Sequence, residues 1–396
     1  MGFEQGRIEG DQGQFGGIEV RELTETLRSI MSVVAHQLEL LPASEGAIEE
    51  MTFTDEDERD DSRFAQDNLE IDSVLEIPRP TWKYRAVRSI PRRERHFFRY
   101  FLDGSYRHYF LATGLEHDRA TPIFLSQIAI AIIKRDDNGR IHSILRRHQW
   151  FLLLAKARMS EAAWQSILNA TQNTPYNIII RDLAEMDAFS GELGQAQELR
   201  ERGRSKTRHL MSTMEFDIVN EFMPSITDGW MIKDGLVSFG SFGGGMQSEH
   251  VIGVAKNFTS LQKFYIQGKA REKESVISLI GNLPQHHRTP AFEGYAGKTA
   301  FWYLRLRKSA QMLYPMYGVI KVEIPVLPDQ ILSTDLLDQI SGALLAEQFV
   351  TPYGSDDRWH SHLYPIYQAE HASKQQFIST YVLQGIINNA LRSIQP

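Results

Sequence analysis

Apolar residues Leu23, Leu27, Ile30, Val34, Leu38 and Leu41 step by threes and fours, which predicts an amphipathic helix over residues 17–41. Its stripe packs either on the chain's own core, the commoner outcome, or on a second copy, since the steps are heptad-like. The pattern then lapses. Over residues 44–76, Glu49, Glu50, Asp55, Glu56, Asp57, Glu58, Asp60 and Asp61 cluster with few apolar residues between them. That composition predicts a solvated acidic linker. From His96 to Arg107 aromatic and aliphatic residues run straight into Asp103-Gly104-Ser105, which reads as a buried strand closing on a glycine turn. Ile123–Ile133 and Ile141–Ala155 are apolar runs separated by Asp136-Asp137-Asn138-Gly139, and predict a hairpin or meander beside the Asp103 strand. Ile178–Ile180 adds a short strand.

The second half alternates. Leu183–Asn220 reads as a helix carrying i,i+4 charge pairs such as Glu198–Arg202, and ends near Pro224. Gly229–Val237 and His250–Lys256 read as short strands around a glycine loop at Gly240–Gly245. Leu261–Ile280 reads as helical. Thr299–Arg307 and Tyr317–Ile324 read as paired strands. Thr334–Gln348 and Gln368–Ile394 read as amphipathic helices, the latter with Phe377, Tyr381, Val382, Gly385 and Ile386 on its buried side. An early meander followed by alternating strands and helices predicts a mixed α/β sheet flanked by helices. There is no internal repeat and no long low-complexity tract. The expected organisation is an N-terminal helix and acidic linker at 1–76, then one catalytic-sized domain at 77–396.

Composition narrows the class. The 396 residues are 42% hydrophobic and 23% charged, values of a globular protein with a large core. No run of 18 uncharged apolar residues predicts a membrane span. The polar N-terminus lacks an apolar signal core, so a cytoplasmic location is expected. With no cysteine, disulfides, thiolate metal sites and a cysteine nucleophile are excluded. A net charge of −7 argues against a protein that grips nucleic acid unaided, because such affinity comes from phosphate neutralisation. It is compatible with local basic patches or with a partner that delivers DNA. Trp82, Lys83, Arg85, Arg88, Arg92, Arg93, Arg95, His96 and Arg99 interleave cations with aromatics as phosphate contact and base stacking require, and equally fit a solvated positive face. Arg200, Arg202, Arg204, Lys206, Arg208 and His209 form a second basic cluster, explained mostly by a mixed-charge helix surface.

Two motifs fail on context. Gly297-Lys298-Thr299 resembles the end of a phosphate loop, but Phe292 stands where that loop needs glycine, and a strand follows where it needs a helix. His286-His287, between Pro284 and Pro290, fits a solvated surface loop. The carboxylates say more. Asp103 and Asp234 each end an apolar strand and precede glycine, and Glu215 lies among Met214, Phe216, Ile218 and Val219 on the helix before the Asp234 strand. A carboxylate at such an interface is either salt-bridged or a ligand. Three acids meeting at a sheet would hold one or two hard divalent cations, the arrangement that cleaves phosphodiesters.

In their order these segments resemble the NurA nuclease family over roughly residues 95–385. The shared motifs are Asp103-Gly104-Ser105, the helical Glu215, Asp234-Gly235-Leu236, Gly253-Val254-Ala255-Lys256, the aromatic strand Phe301-Trp302-Tyr303 and the strand Val319–Pro325. The last motif is Tyr364-Pro365 with His371 on a helix, where Glu370 replaces the family's alanine. The resemblance implies an RNase H-like core and a manganese- or magnesium-dependent nuclease acting on single-stranded DNA and DNA ends. It implies a homodimer partnered by the hexameric HerA translocase, in DNA-end processing or phage defence. It assigns Asp103 as bridging metal ligand and Glu215, Asp234 and His371 as further ligands. Lys256 would act on the scissile phosphate, and Tyr364 would orient His371 or the phosphate. Two other readings stay open: a catalytically lapsed DNA-binding or scaffold subunit, and a nuclease acting on RNA.

Overall fold

The computed structural model describes residues 17–43, 48–51, 70–71, 73–92, 96–172, 174–184, 196–237, 248–256, 258, 262–265, 273–294, 297–308, 316–328, 330–348 and 361–392. The chain is α/β, with one large mixed sheet flanked by helices. Its strands are β1 (Glu39–Pro42), β2 (Glu49–Glu50), β3 (Glu70–Ile71), β4 (Arg85–Ala86), β5 (Phe98–Glu116), β6 (Arg119–Arg135), β7 (Ile141–Leu154), β8 (Ile178–Asp182), β9 (Trp230–Asp234), β10 (Val251–Ala255), β11 (Lys263–Tyr265), β12 (Lys273–Ser275), β13 (His287–Arg288), β14 (Phe292–Glu293), β15 (Thr299–Arg305) and β16 (Val319–Pro325). The helices are α1 (Gly17–Gln37), α2 (Glu161–Ala170), α3 (Ala196–Phe222), α4 (Val276–Gly281), α5 (Thr334–Glu347), α6 (Tyr364–Lys374) and α7 (Thr380–Arg392).

The large sheet runs β4-β13-β15-β16-β10-β9-β5-β6-β7-β8, with β1 and β2 also on β5 and β14 on β15. Strands β5, β6 and β7 form the expected antiparallel meander, while β9 lies parallel to β5 and β10 parallel to β9. Residues of β5 and β9 alternate between two faces. On one face Phe101, Ile232 and Ile252 pack beneath Leu337, Ile340 and Leu344 of α5 and Ile366 and Ala369 of α6. On the other, Tyr100, Leu102 and Met231 pack against Ile218 and Val219 of α3.

The Asp103-Gly104 pair does not make a turn. β5 runs on for 19 residues, pairing Asp103 with Ala131 and Gly104 with Ile130. The hairpin turns instead after Glu116, where His117 has φ of 56°. An Asp-Gly pair specifies a turn only when the flanking strands can fold back there. Here the apolar run continues through Tyr109–Ala112 and the 17-residue β6 pairs along it.

Residues on both sides of position 76 share the same cores. Leu23, Leu27, Ile30 and Val34 of α1 are buried with Ile386 and Ile387 of α7 and Leu111 of β5. Glu76 forms a fully buried ion pair with Arg288, at 2.8 Å. The predicted helical tail to Leu41 is strand β1, held on β5. Glu49 and Glu50 of the expected acidic linker are strand β2 on β5, paired with Arg200 and Arg107. Asp55 to Asp61 lie outside the described residues, as does the 240–245 glycine loop.

Two helix expectations need correction. Among the described residues of 261–280, only those of α4 are helical. Phe264 on β11 is buried among Phe292, Phe301 and Tyr303 while Lys263 is exposed, so two-residue alternation prevails there. The predicted 368–394 helix is two, α6 and α7. They part where Gln127 of β6 accepts a hydrogen bond from Ile378 N and its amide donates to Ile378 O. The break resets the helical phase, so Tyr381 and Val382 are exposed, and Leu383, Ile386 and Ile387 face the core. Among the described residues, no helix is long and apolar enough to cross a membrane.

Candidate functional site

Three elements place the acids. Asp103 sits in mid-strand on β5, 6% exposed, on the face that α6 covers. β9 pairs Lys233 with Leu102, so the next residue, Asp234, stands beside Asp103 on that face. The strand stops there because Gly235 turns the chain at φ of 79°, a conformation that favours glycine. Asp234 also pairs with Val254 of β10, which puts Lys256, two residues on, over the same face. The Lys256 ammonium lies 3.2 Å from the Asp234 carboxylate.

Strand alternation sends Lys233 to the opposite face, toward α3. There it forms a buried ion pair with Glu215 at 2.7 Å and donates a hydrogen bond to the Asp234 carbonyl at 2.7 Å. Glu215 therefore approaches from the far side of the sheet. It does so over Gly104, where a Cβ would lie 2.6 Å from the Glu215 carboxylate. The glycine is thus a gap in the sheet rather than a turn.

α6 contributes a further acid. Ser105 and Ser373 share a buried hydrogen bond at 2.8 Å, which sets the helix along β5. Glu370 is one turn before Ser373 on the helix, as Asp103 is two residues before Ser105 on the strand. Glu370 also meets Lys374 at 2.5 Å on the rim.

The charges bear on one another. Burial raises the Asp103 carboxyl well above the usual carboxylate range; Asp234, Glu370 and Glu215 raise it further, and the ammonium groups of Lys256 and Lys233 oppose them. No hydrogen bond or ion pair to the Asp103 carboxylate is found among the described residues. Burial alone would lower the two lysines, yet both are raised: Lys256 by Asp234, Asp103 and Glu370, and Lys233 by Glu215, Asp234 and Asp103. Four carboxylates thus face two buried ammonium groups, with Lys374 at the edge.

Asp103, Glu215, Asp234 and Lys256 are therefore brought together. Tyr364 and His371 are not. Both occupy the outer side of α6, opposite buried Ile366, Ala369 and Ser373, with Tyr364 42% exposed and His371 also exposed. Among the described residues, no three His, Asp or Glu side chains are arranged to coordinate one ion as they stand. Lys233 and Lys256 hold Glu215 and Asp234 in ion pairs. The donor chemistry nevertheless fits a hard divalent cation: all oxygen ligands and an excess of buried negative charge around Asp103.

Sequence reasoning missed Lys233 and Glu370. Strand alternation was the available signal for Lys233, a charged residue inside Trp230–Asp234. For Glu370 the sequence carried no signal, since the rotation of its helix is set by the contact between Ser105 and Ser373. The basic segment around 82–99 is largely engaged. Lys83, Arg85, Arg92 and Arg99 close on Glu274, Asp338, Glu347 and Asp137, while Arg93 and Arg95 lie outside the described residues.

The fold and this cluster define an α/β protein with a buried acidic centre spanning its main sheet. Compared with protein-family models and with curated proteins, the chain matches none.

Proposed function

We propose that the chain is a divalent-metal-dependent deoxyribonuclease of the NurA kind, using manganese or magnesium to hydrolyse phosphodiester bonds in single-stranded DNA and at DNA ends. The observation that carries this reading is Asp103: a buried carboxylate with Asp234, Glu370 and Glu215 close enough to disfavour its charge. Keeping such a group ionised calls for a cation, and the ligand types around it suit magnesium or manganese. Asp103 and Asp234 would hold the ion, with Glu215 reached through the Gly104 gap. The ion would supply an activated water and stabilise charge on the phosphate. Lys256 stands beside the two aspartates, in position to meet a phosphate oxygen.

The strand order supports an RNase H-like core, which needs a three-stranded antiparallel meander flanked by two parallel strands. Here β7-β6-β5 is followed by β9 and β10, both parallel to β5. The helix that crosses between meander and parallel pair, α3, carries Glu215. The net charge of −7 suits a nuclease fed by a partner that carries the DNA, a hexameric ATPase of the HerA type, with the chain itself dimeric.

The lapsed-subunit reading has an observation of its own, the two lysine pairs that satisfy Glu215 and Asp234 without an ion. One experiment separates the readings. Purified chain is incubated with end-labelled single-stranded DNA and manganese, beside Asp103→Ala and a matched RNA strand. The nuclease reading expects cleavage by the wild type that the variant loses by at least a hundredfold; equal cleavage by both, or none by either with the HerA-type partner present, rejects it. Preferential cutting of the RNA strand replaces the substrate.

A further inference from the structure

We propose that Glu370 is a ligand of the ion bound at Asp103, taking the place that the family resemblance gives to His371. This rests on the metal-dependent reading of the site and goes beyond it by changing the ligand set.

Register between β5 and α6 brings Glu370 to Asp103. The hydrogen bond between Ser105 and Ser373 places α6 over β5 at one point. Two residues back along the strand is Asp103, on the same face. Three residues back along the helix is Glu370, about one turn away, and Ser373 donates to the Glu370 carbonyl at 2.8 Å. Strand and helix thus present the two carboxylates at adjoining positions. Glu370 is half-buried at the flank of the helix's packed side, whereas His371 is rotated by about 100° onto the exposed side. The electrostatics agree with the placement: Glu370 acts on both Asp103 and Lys256.

Glu370 is not free of other duties. Lys374 holds one of its oxygens from the rim, at 2.5 Å, through an i,i+4 pair in which Lys374 is 56% exposed. Exposed pairs of that spacing are weak, so a divalent ion displaces the lysine readily. The substitution has a chemical consequence. Imidazole suits zinc, nickel and copper, while carboxylates suit magnesium and manganese. A site with Glu370 in place of a histidine has only oxygen ligands and lacks the added preference for zinc, nickel and copper that an imidazole brings.

The test is calorimetric titration of the full chain with manganese chloride, for the wild type, Glu370→Gln, Glu370→Asp, His371→Gln and Asp103→Asn, each checked by thermal melting. Glu370→Gln is expected to weaken manganese binding at least tenfold, Glu370→Asp to restore part of it, and His371→Gln to stay within twofold of wild type. Wild-type affinity in Glu370→Gln, with loss in Asp103→Asn, overturns the assignment of Glu370 and leaves the metal site standing. Loss in His371→Gln likewise overturns it. No binding by the wild type overturns both. If Glu370→Gln melts below the titration temperature, Glu370→Asp carries the same comparison against His371→Gln.

Discussion

The Glu215 carboxylate occupies the space above Gly104 that any side chain at residue 104 would fill, 2.6 Å from where its Cβ would stand. Met211 closes the same gap at 3.0 Å. Since Glu215 is tied down by Lys233, it cannot simply swing aside. Gly104→Ala is expected to destabilise the protein by about 1–3 kcal/mol, as overpacking does. It should also lower manganese-dependent cleavage more than it lowers stability. Urea denaturation and an end-labelled DNA assay would read the two effects; wild-type behaviour in both would show that the gap has no role.

The Glu215–Lys233 pair is buried on both sides, and removing one partner strands the other. Lys233→Met is expected to cost about 3–5 kcal/mol, the usual cost of breaking a buried pair. The double change Glu215→Gln with Lys233→Met should cost clearly less than the two single changes summed. A double-mutant cycle measures this coupling, and simple additivity would refute it.

Asp103 makes stability depend on pH in an unusual direction. Its carboxyl is raised in the folded state, so the folded chain holds that proton more tightly than the unfolded one. The contribution is complete below the ordinary carboxylate pKa of about 4 and is lost as pH rises through the raised value. In metal-free buffer, Asp103→Asn should therefore melt close to wild type near that lower limit and progressively above it as pH rises. Divalent ion should narrow the gap by stabilising only the wild type. A melting difference that shrinks with rising pH would contradict the placement.

His108 carries the opposite dependence. Burial, helped by Arg204, lowers its imidazole to about 3. It is stacked on Phe124, and its Nδ1 meets the hydroxyls of Ser126 at 2.8 Å and Thr207 at 3.0 Å. The unfolded chain takes up a proton below an ordinary pKa of about 6.5 that the folded chain refuses, so stability is lost as pH falls from there toward 3. His108→Gln is expected to flatten the decline of melting temperature between pH 6.5 and 4. An unchanged slope would show that His108 does not drive acid sensitivity.

Periodicity alone determined a good deal of this protein. The apolar steps of α1, the β6–β7 hairpin with its Asp136–Gly139 turn, the β15–β16 pair and α5 all lie where the sequence pattern places them. Each is set by contacts between near neighbours or by a strong, continuous burial pattern. Asp234 at the end of β9 and Lys256 just past β10 were legible for the same reason. Other features depended on partners distant in the chain. Asp103-Gly104 reads locally as a turn, yet a 17-residue partner strand carries it straight through, and a glutamate 111 positions later needs the glycine's empty space. Which side of α6 faces the sheet was decided by Ser105 meeting Ser373, and by the break between α6 and α7 where Gln127 bonds Ile378. That contact brings Glu370 inward and leaves His371 and Tyr364 outside. Local sequence sets the period of a helix, but its rotation about its own axis is set by what it packs against.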